Sequence, residues 1–162
     1  MGELADGPVL DSDVLIDYLR GAGPGCDLVR DLGRGGGYRV TAVSAFELAL
    51  ARSYRRNPKP VHAVLGAPVL TLTRKAGLRG GALLAELRGR GEQIDVRDAL
   101  QAGICLETGA TLVSRNIHHV KRVSGLRLFH PAEFFEGRGW AGDLDEIRAP
   151  EDIPESKWGS AL

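Results

Sequence analysis

Four positions carry oxygen groups that could do metal chemistry together if the fold gathers them: Asp11, Glu47, Asp98 and Asn116. Asp11 lies in Pro8-Val-Leu-Asp-Ser-Asp-Val-Leu-Ile-Asp-Tyr18, which is apolar up to Leu10, presents Asp11 and Asp13, and then turns apolar again. A short buried strand that delivers a carboxylate at its carboxyl end has this pattern, and strand carboxyl ends are where open α/β sheets place their ligands. Asn116 follows Thr111-Leu-Val-Ser114, the clearest later strand, while Glu47 and Asp98 fall in the expected first turns of helices. Carboxylates in a small volume cannot all stay charged unless a cation neutralises them; otherwise one takes up a proton. Hard oxygen donors suit Mg²⁺, with Mn²⁺ as a substitute. Mg²⁺ keeps several waters and uses one or two protein carboxylates, which leaves positions for phosphate oxygens. Such an ion polarises a phosphate and acidifies a water beside it, the chemistry of phosphodiester hydrolysis.

Each acid also has a plainer role open to it. Glu47 stands three residues after Ser44, the spacing of a capping box. Asp98 can favour a helix N-terminus electrostatically, with Asp95 as the N-cap. Asp13 and Asp17 read as a cap and a solvated face rather than as ligands. His62, His118, His119 and His130 have no metal-ligand spacing with cysteine, so no zinc site is expected. Order and company, not any single acid, favour the metal reading.

The elements that must position these groups alternate. Strands are expected at Val9–Leu10, 38–43, 68–72, 111–114 and 126–129. Helices are expected over 14–19, 26–32, from Ser44 to about Tyr54, 75–90, from Asp95 to Gly109, and 117–122. Residues 33–37 read as a loop, and Pro58 and Pro60 as breakers. Ala102-Gly-Ile104 is small, as a helix lying close to a sheet requires. Strands alternating with helices predict an α/β fold with a central, mostly parallel sheet. A single domain over 1–135 and a polar, acidic C-terminal extension over 136–162 are expected, with Trp140, Ile147 and Trp158 as candidate anchors of that extension.

The chain has 162 residues, 21 basic and 21 acidic, so its formal net charge is zero. That balance does not demand a nucleic-acid partner on global charge and leaves room for a local basic rim. Two cysteines, Cys26 and Cys105, are too few for a disulfide framework and fit a reducing compartment. The sequence contains no apolar run of membrane-spanning length and no signal-peptide pattern. A cytoplasmic protein without a membrane partner is the expectation.

Four segments, in order, resemble the PIN-domain family, and most of all the VapC toxin branch of VapBC toxin–antitoxin pairs. Leu10-Asp-Ser-Asp-Val-Leu-Ile-Asp-Tyr18 resembles the family's opening motif, and Val43-Ser-Ala-Phe-Glu-Leu48 the segment carrying its glutamate. Asp98-Ala-Leu-Gln-Ala-Gly-Ile-Cys105 resembles the next acidic segment. Gly109-Ala-Thr-Leu-Val-Ser-Arg-Asn-Ile-His-His-Val120, followed by Gly125-Leu-Arg-Leu128, resembles the closing one. The match spans about Val9 to Phe129. The resemblance implies an Mg²⁺-dependent endoribonuclease with Asp11 and Asp98 as metal carboxylates. Glu47 would be a third acid, acting directly or through water. Asn116, where many relatives have aspartate, would orient a metal-bound water. Ser12 and Ser114 match positions where hydroxyls support the site and the RNA. Gln101 and Val120 depart from the family's apolar and aromatic residues, and neither is expected to touch the acids.

The resemblance further implies a cognate antitoxin that sends a basic side chain into the acids, and a homodimer. The leucine-rich face of 78–87 could serve that dimer or the core. RNA needs cations along its backbone. Candidates are Arg20, Arg52, Arg55, Arg56, Arg97, Arg115 and Lys121, with Arg115 favoured because it adjoins Asn116. Two other readings stand beside the nuclease. One is a PIN fold kept for binding without catalysis. The other is a haloacid-dehalogenase-like phosphatase, which Asp11-Ser-Asp13 resembles but whose following Gly-Thr is replaced by Val14-Leu15.

Overall fold

The computed structural model describes residues 7–134. The extension expected over 136–162, with its tryptophans, lies outside the described residues. Five short strands alternate with helices: β1 (Val9–Leu10), β2 (Val40–Thr41), β3 (Val69–Leu70), β4 (Leu112–Val113) and β5 (Leu128–Phe129). The helices are α1 (Ser12–Arg20), α2 (Pro24–Asp31), α3 (Ala42–Leu50), α4 (Arg52–Arg56), α5 (Lys59–Val64), α6 (Arg74–Gly89), α7 (Val96–Thr108), α8 (Ile117–Val120) and α9 (Pro131–Phe134).

β1, β4 and β5 pair in parallel, and so do β2 and β3. Leu10 donates its N–H to the Arg39 carbonyl (2.9 Å) and Arg39 donates to the Pro8 carbonyl (2.7 Å). Those bonds join the two pairings into a parallel array in the order β3-β2-β1-β4-β5. This is the expected α/β architecture, a parallel sheet flanked by helices. β1 and β4 lie in the middle, so the carboxyl end of each delivers its next residue to the centre of one edge.

Side chains alternate across the strands, as the pleat requires. Val9, Leu112 and Leu128 are in register and pack with Ile94, Ala102, Cys105 and Ile117 on one face. Leu10, Val113 and Phe129 form the next rank and pack with Val14, Leu15, Leu28 and Val61 on the other. Strands buried on both faces read as continuous apolar runs, which is why Val9-Leu10 and Leu112-Val113 stand out in the sequence. Burying each such leucine contributes about 1.5–3 kcal/mol. Cys26 and Cys105 are buried and free, within this packing.

Three local expectations are corrected. First, α3 begins directly out of β2, with Thr41 rather than Ser44 as its N-cap; the Thr41 hydroxyl accepts the Ser44 N–H at 3.0 Å. The expected helix to Tyr54 is interrupted at Ala51, whose backbone is extended (φ −66°, ψ 140°), before α4 resumes. Second, residues 32–36 form a wide helical turn continuing α2 rather than an open loop, and α5 starts at Lys59 with Pro60 in its first turn, where a missing N–H leaves no bond unmade. Third, the small residues of α7 divide: Ala102 packs with the strand residues Val9 and Leu112, while Gly103 faces a helix rather than the sheet. A Cβ added at Gly103 would stand 2.4 Å from the Ala76 carbonyl oxygen, and one at Gly80 would stand 2.8 Å from that of Ala99. Backbone approach at the α6–α7 crossing therefore requires glycine at both positions. The leucine face of α6 divides accordingly: Leu87 is buried, Leu83 and Leu84 pack against the core, and Leu78 is 71% exposed.

Candidate active site

Asp11 is the first residue after β1 and the N-cap of α1. Its Oδ1 accepts the Ser12 N–H (2.7 Å) and an Nε2 hydrogen of Gln101 (2.9 Å), and its Oδ2 accepts the Ser114 hydroxyl (2.8 Å). Ser114 is the first residue after β4, so the central strands bring the two side chains together. Asp13, one turn into α1, turns toward the same place. Its Oδ2 accepts the N–H groups of Arg115 (3.0 Å) and Asn116 (3.2 Å) and lies 3.3 Å from the Ser114 hydroxyl. A single hydroxyl hydrogen thus faces two carboxylates. Asp13 Oδ1 is buried and accepts nothing among the described residues.

Glu47 comes from α3. Because that helix starts at Ala42, Glu47 sits one turn deeper than a capping-box partner would. Its Oε2 accepts the Ser12 hydroxyl (2.8 Å), and its Oε1 meets the Arg97 guanidinium at 3.0 Å. Asp98 lies in the first turn of α7, behind the N-cap Asp95, whose carboxylate accepts the Arg97 N–H at 2.8 Å as expected. No hydrogen bond reaches the Asp98 side chain from the described residues.

The electrostatics bind these acids into one group. Burial pushes the Asp98 carboxyl up to about 7, and the charges of Asp11, Asp95 and Glu47 add to the rise. Burial also raises Asp11 against the pull of its hydrogen bonds, and it raises Glu47 and Asp13, each with a further contribution from the charge of Asp11. Asp11, Glu47 and Asp98 come from three separate segments, and their charges oppose one another.

Other expected site residues are placed differently. Asp17 is not on a solvated face: its side chain is 3% exposed, pairs with Arg115 at 2.6 Å, and accepts the Gly25 N–H at 2.9 Å. Arg115, expected at the mouth of the crevice for RNA, is turned inward onto that carboxylate with 13% of its side chain exposed. The Ser12 and Ser114 hydroxyls are buried and given to carboxylates rather than offered to a substrate. Asn116 contributes its backbone N–H to Asp13; its side chain does not cap α8. Gln101, expected to stand clear of the acids, touches Asp11 directly. The available signal was its position three residues after Asp98, on the same helical face, in an otherwise apolar run.

Among the described residues no three His, Cys, Asp or Glu side chains form a group able to hold a metal ion by themselves. The donors are nevertheless all hard oxygens, one buried oxygen of Asp13 has no partner among the described residues, and the Asp98 carboxyl stays raised although Arg97 stands nearby. That set fits a divalent ion that keeps most of its waters and meets one or two carboxylates, with further acids acting through water. Asp11, Asp98 and Glu47 are the residues that could meet such an ion.

No family model matches the sequence, and no curated protein does. Solved structures do. A chain of VapBC2 from Rickettsia felis, bound to a DNA fragment from their promoter, superposes with a TM-score of 0.63 at 19% identity, covering 75% of this chain and 96% of that one. A chain of DNA-bound VapBC from Salmonella typhimurium gives 0.63 at 18% identity, over 76% and 96% of the two chains. A chain of a toxin–antitoxin complex from Klebsiella pneumoniae gives 0.62 at 15% identity, over 77% and 98%. At such identities the likeness is one of fold: this chain has the PIN-like α/β fold of the chains in those VapBC and toxin–antitoxin complexes.

Proposed function

We propose that this chain is the toxin of a toxin–antitoxin pair and acts as an Mg²⁺-dependent endoribonuclease. The observation that carries the reading is that Asp11 and Glu47 meet through Ser12 at one sheet edge, with Asp98 within electrostatic reach of both, on a fold shared with chains of VapBC complexes. A bound divalent ion would supply Lewis-acid polarisation of the scissile phosphate and an acidified water. The protein's own part is to hold that ion beside Asp11 and Asp98. Ser12 keeps Glu47 turned inward, and the half-exposed Arg97 stands where a phosphate of the RNA backbone can approach. The same acids would receive a basic side chain from a cognate antitoxin, and a homodimer belongs to this reading. Among the described residues no helix is long and apolar enough to cross a membrane.

A second reading, a PIN fold that binds without cutting, draws on the absence of a three-acid group among the described residues and on Asn116 contributing backbone rather than charge. A small-molecule phosphatase has no comparable support, since Asp13 Oδ2 is already engaged by backbone N–H groups. Incubating total RNA with the purified chain and Mg²⁺ or Mn²⁺, beside Asp98→Asn and beside chelator, separates them. Cleavage that requires both the ion and Asp98 supports the nuclease. A folded chain that binds RNA but leaves it intact supports the binding module.

A further inference from the structure

Gln101 is 3% exposed and sits between three segments that each carry an acid or lead into one. Its Nε2 donates to Asp11 Oδ1 at 2.9 Å. On its other side, Oε1 accepts the Thr41 hydroxyl at 2.7 Å and lies 3.3 Å from the Ser44 hydroxyl. The amide can face only one way, because a carboxylate accepts and cannot donate. Thr41 and Ser44 open α3, which carries Glu47, while Gln101 itself is one turn beyond Asp98 on α7.

Lone pairs decide the consequence. A carboxylate oxygen offers about two acceptor positions. Both positions on Asp11 Oδ1 are filled, by the Ser12 N–H and by Gln101. Among the described residues Oδ2 has the Ser114 hydroxyl as its one hydrogen-bond donor, so it retains an open position. We infer that Gln101 is a positioning residue that locks the Asp11 carboxylate so that Oδ2, and not Oδ1, is presented to a divalent cation. The inference rests on the proposed reading of Asp11 as a metal carboxylate. It adds that the selection is made by a buried amide anchored on the first turn of the helix bearing Glu47. An apolar side chain at 101 would leave Oδ1 with a position open to compete for the cation, the carboxylate held by Ser12 and Ser114 alone, and the Thr41 and Ser44 hydroxyls without their shared acceptor.

The test is titration of the metal-free full chain with Mg²⁺, and with Mn²⁺ as a second probe, by calorimetry, for the parent, Gln101→Leu and Thr41→Val. Loss of an outer partner of a metal ligand typically weakens metal affinity about 10–100-fold, and Gln101→Leu is expected in that range. Thr41→Val removes an anchor of the amide without touching Asp11 and is expected to weaken affinity less. RNA affinity measured without metal is expected to stay unchanged in both. A folded Gln101→Leu protein that melts earlier yet binds Mg²⁺ as tightly as the parent would show a purely structural amide and overturn the inference. Should Gln101→Leu fail to fold, unchanged Mg²⁺ affinity in Thr41→Val overturns it instead. A parent chain that binds neither ion removes the metal reading itself, and the positioning role with it.

Discussion

The acids of this edge fall into an inner and an outer set, and the two are held by different physics. The inner acids, Asp11, Asp13 and Asp17, accept backbone N–H groups, hydroxyls, an amide and one buried guanidinium, from α1, from the residues that follow β4, from Gly25 of α2 and from Gln101 of α7. In the outer set, Glu47 and Asp98 stand on helices that reach the edge from further along the chain. Glu47 is met by a hydroxyl and by the half-exposed Arg97, while Asp98 receives no hydrogen bond from the described residues. Burial raises the carboxyl groups of both sets. In the inner set hydrogen bonds offset part of that cost; at Asp98 no bond does, and neighbouring negative charges add to it. The inner acids are thus tied into the framework by hydrogen bonds, whereas the raised Asp98 carboxyl has none from the described residues to offset its burial.

Breaking the inner set should cost most. Arg115→Ala leaves Asp17 buried with its Gly25 bond but without its cation, and removing one partner of a buried pair typically costs about 3–5 kcal/mol. Urea unfolding should show that loss as a lower midpoint at unchanged slope. An Arg115→Ala chain as stable as the parent but weaker on RNA would move Arg115 from framework to substrate contact, the role its sequence position suggests.

The outer set should announce itself through pH. The carboxyl of Asp98 titrates near 3.8 when free and is pushed up to about 7 in the folded chain. Between those values the folded state holds a proton that the unfolded state has released. Stability therefore falls as pH rises from about 4 to about 7, by at most ~1.4 kcal/mol per pH unit from this one group. The metal-free chain should melt higher at mildly acidic than at mildly alkaline pH, and Asp98→Asn should flatten that trend. Mg²⁺ should reverse it, stabilising the chain more above neutrality, where Asp98 is charged. Melting curves in which acidification gives Asp98→Asn and the parent the same gain would place Asp98 outside the coupled group.

What the sequence made legible follows the same division. The strands were readable because Val9-Leu10 and Leu112-Val113 are buried on both faces, which removes ambiguity about their environment. Asp11, Glu47 and Asp98 were readable as a set because strand ends and helix starts in an α/β sheet converge. The hydrogen-bond partners were not readable. Asp13 and Asp17 look like surface positions on α1, because their donors, Arg115 and Gly25, lie across a chain crossing rather than one helical turn away. The start of α3 was misplaced because Thr41 and Ser44 both satisfy a cap's chemistry, and only the point where β2 pairing ends decides between them. Gln101 was visible as a departure from an apolar pattern, but its use depends on two hydroxyls about sixty residues earlier in the chain (Thr41 and Ser44).

The gentlest perturbation is Arg97→Ala, and it sharpens the contrast most. Arg97 is 49% exposed; its guanidinium meets Glu47 at 3.0 Å and Asp95 at 2.9 Å. Exposed pairs of this kind contribute about 0–1 kcal/mol, so stability should barely change. Mg²⁺ affinity should rise instead, because one positive charge beside the acids has been removed. That gain should be a few-fold at low ionic strength and shrink toward nothing near 1 M salt, where screening acts within about 3 Å. An inner-set change such as Gln101→Leu should keep its effect at high salt, since it acts through hydrogen-bond geometry rather than through solvent-exposed charge. A salt-independent gain in Arg97→Ala would mean that Arg97 occupies the ion's own position, and the outer set would then be gated by its own arginine rather than merely lined by it.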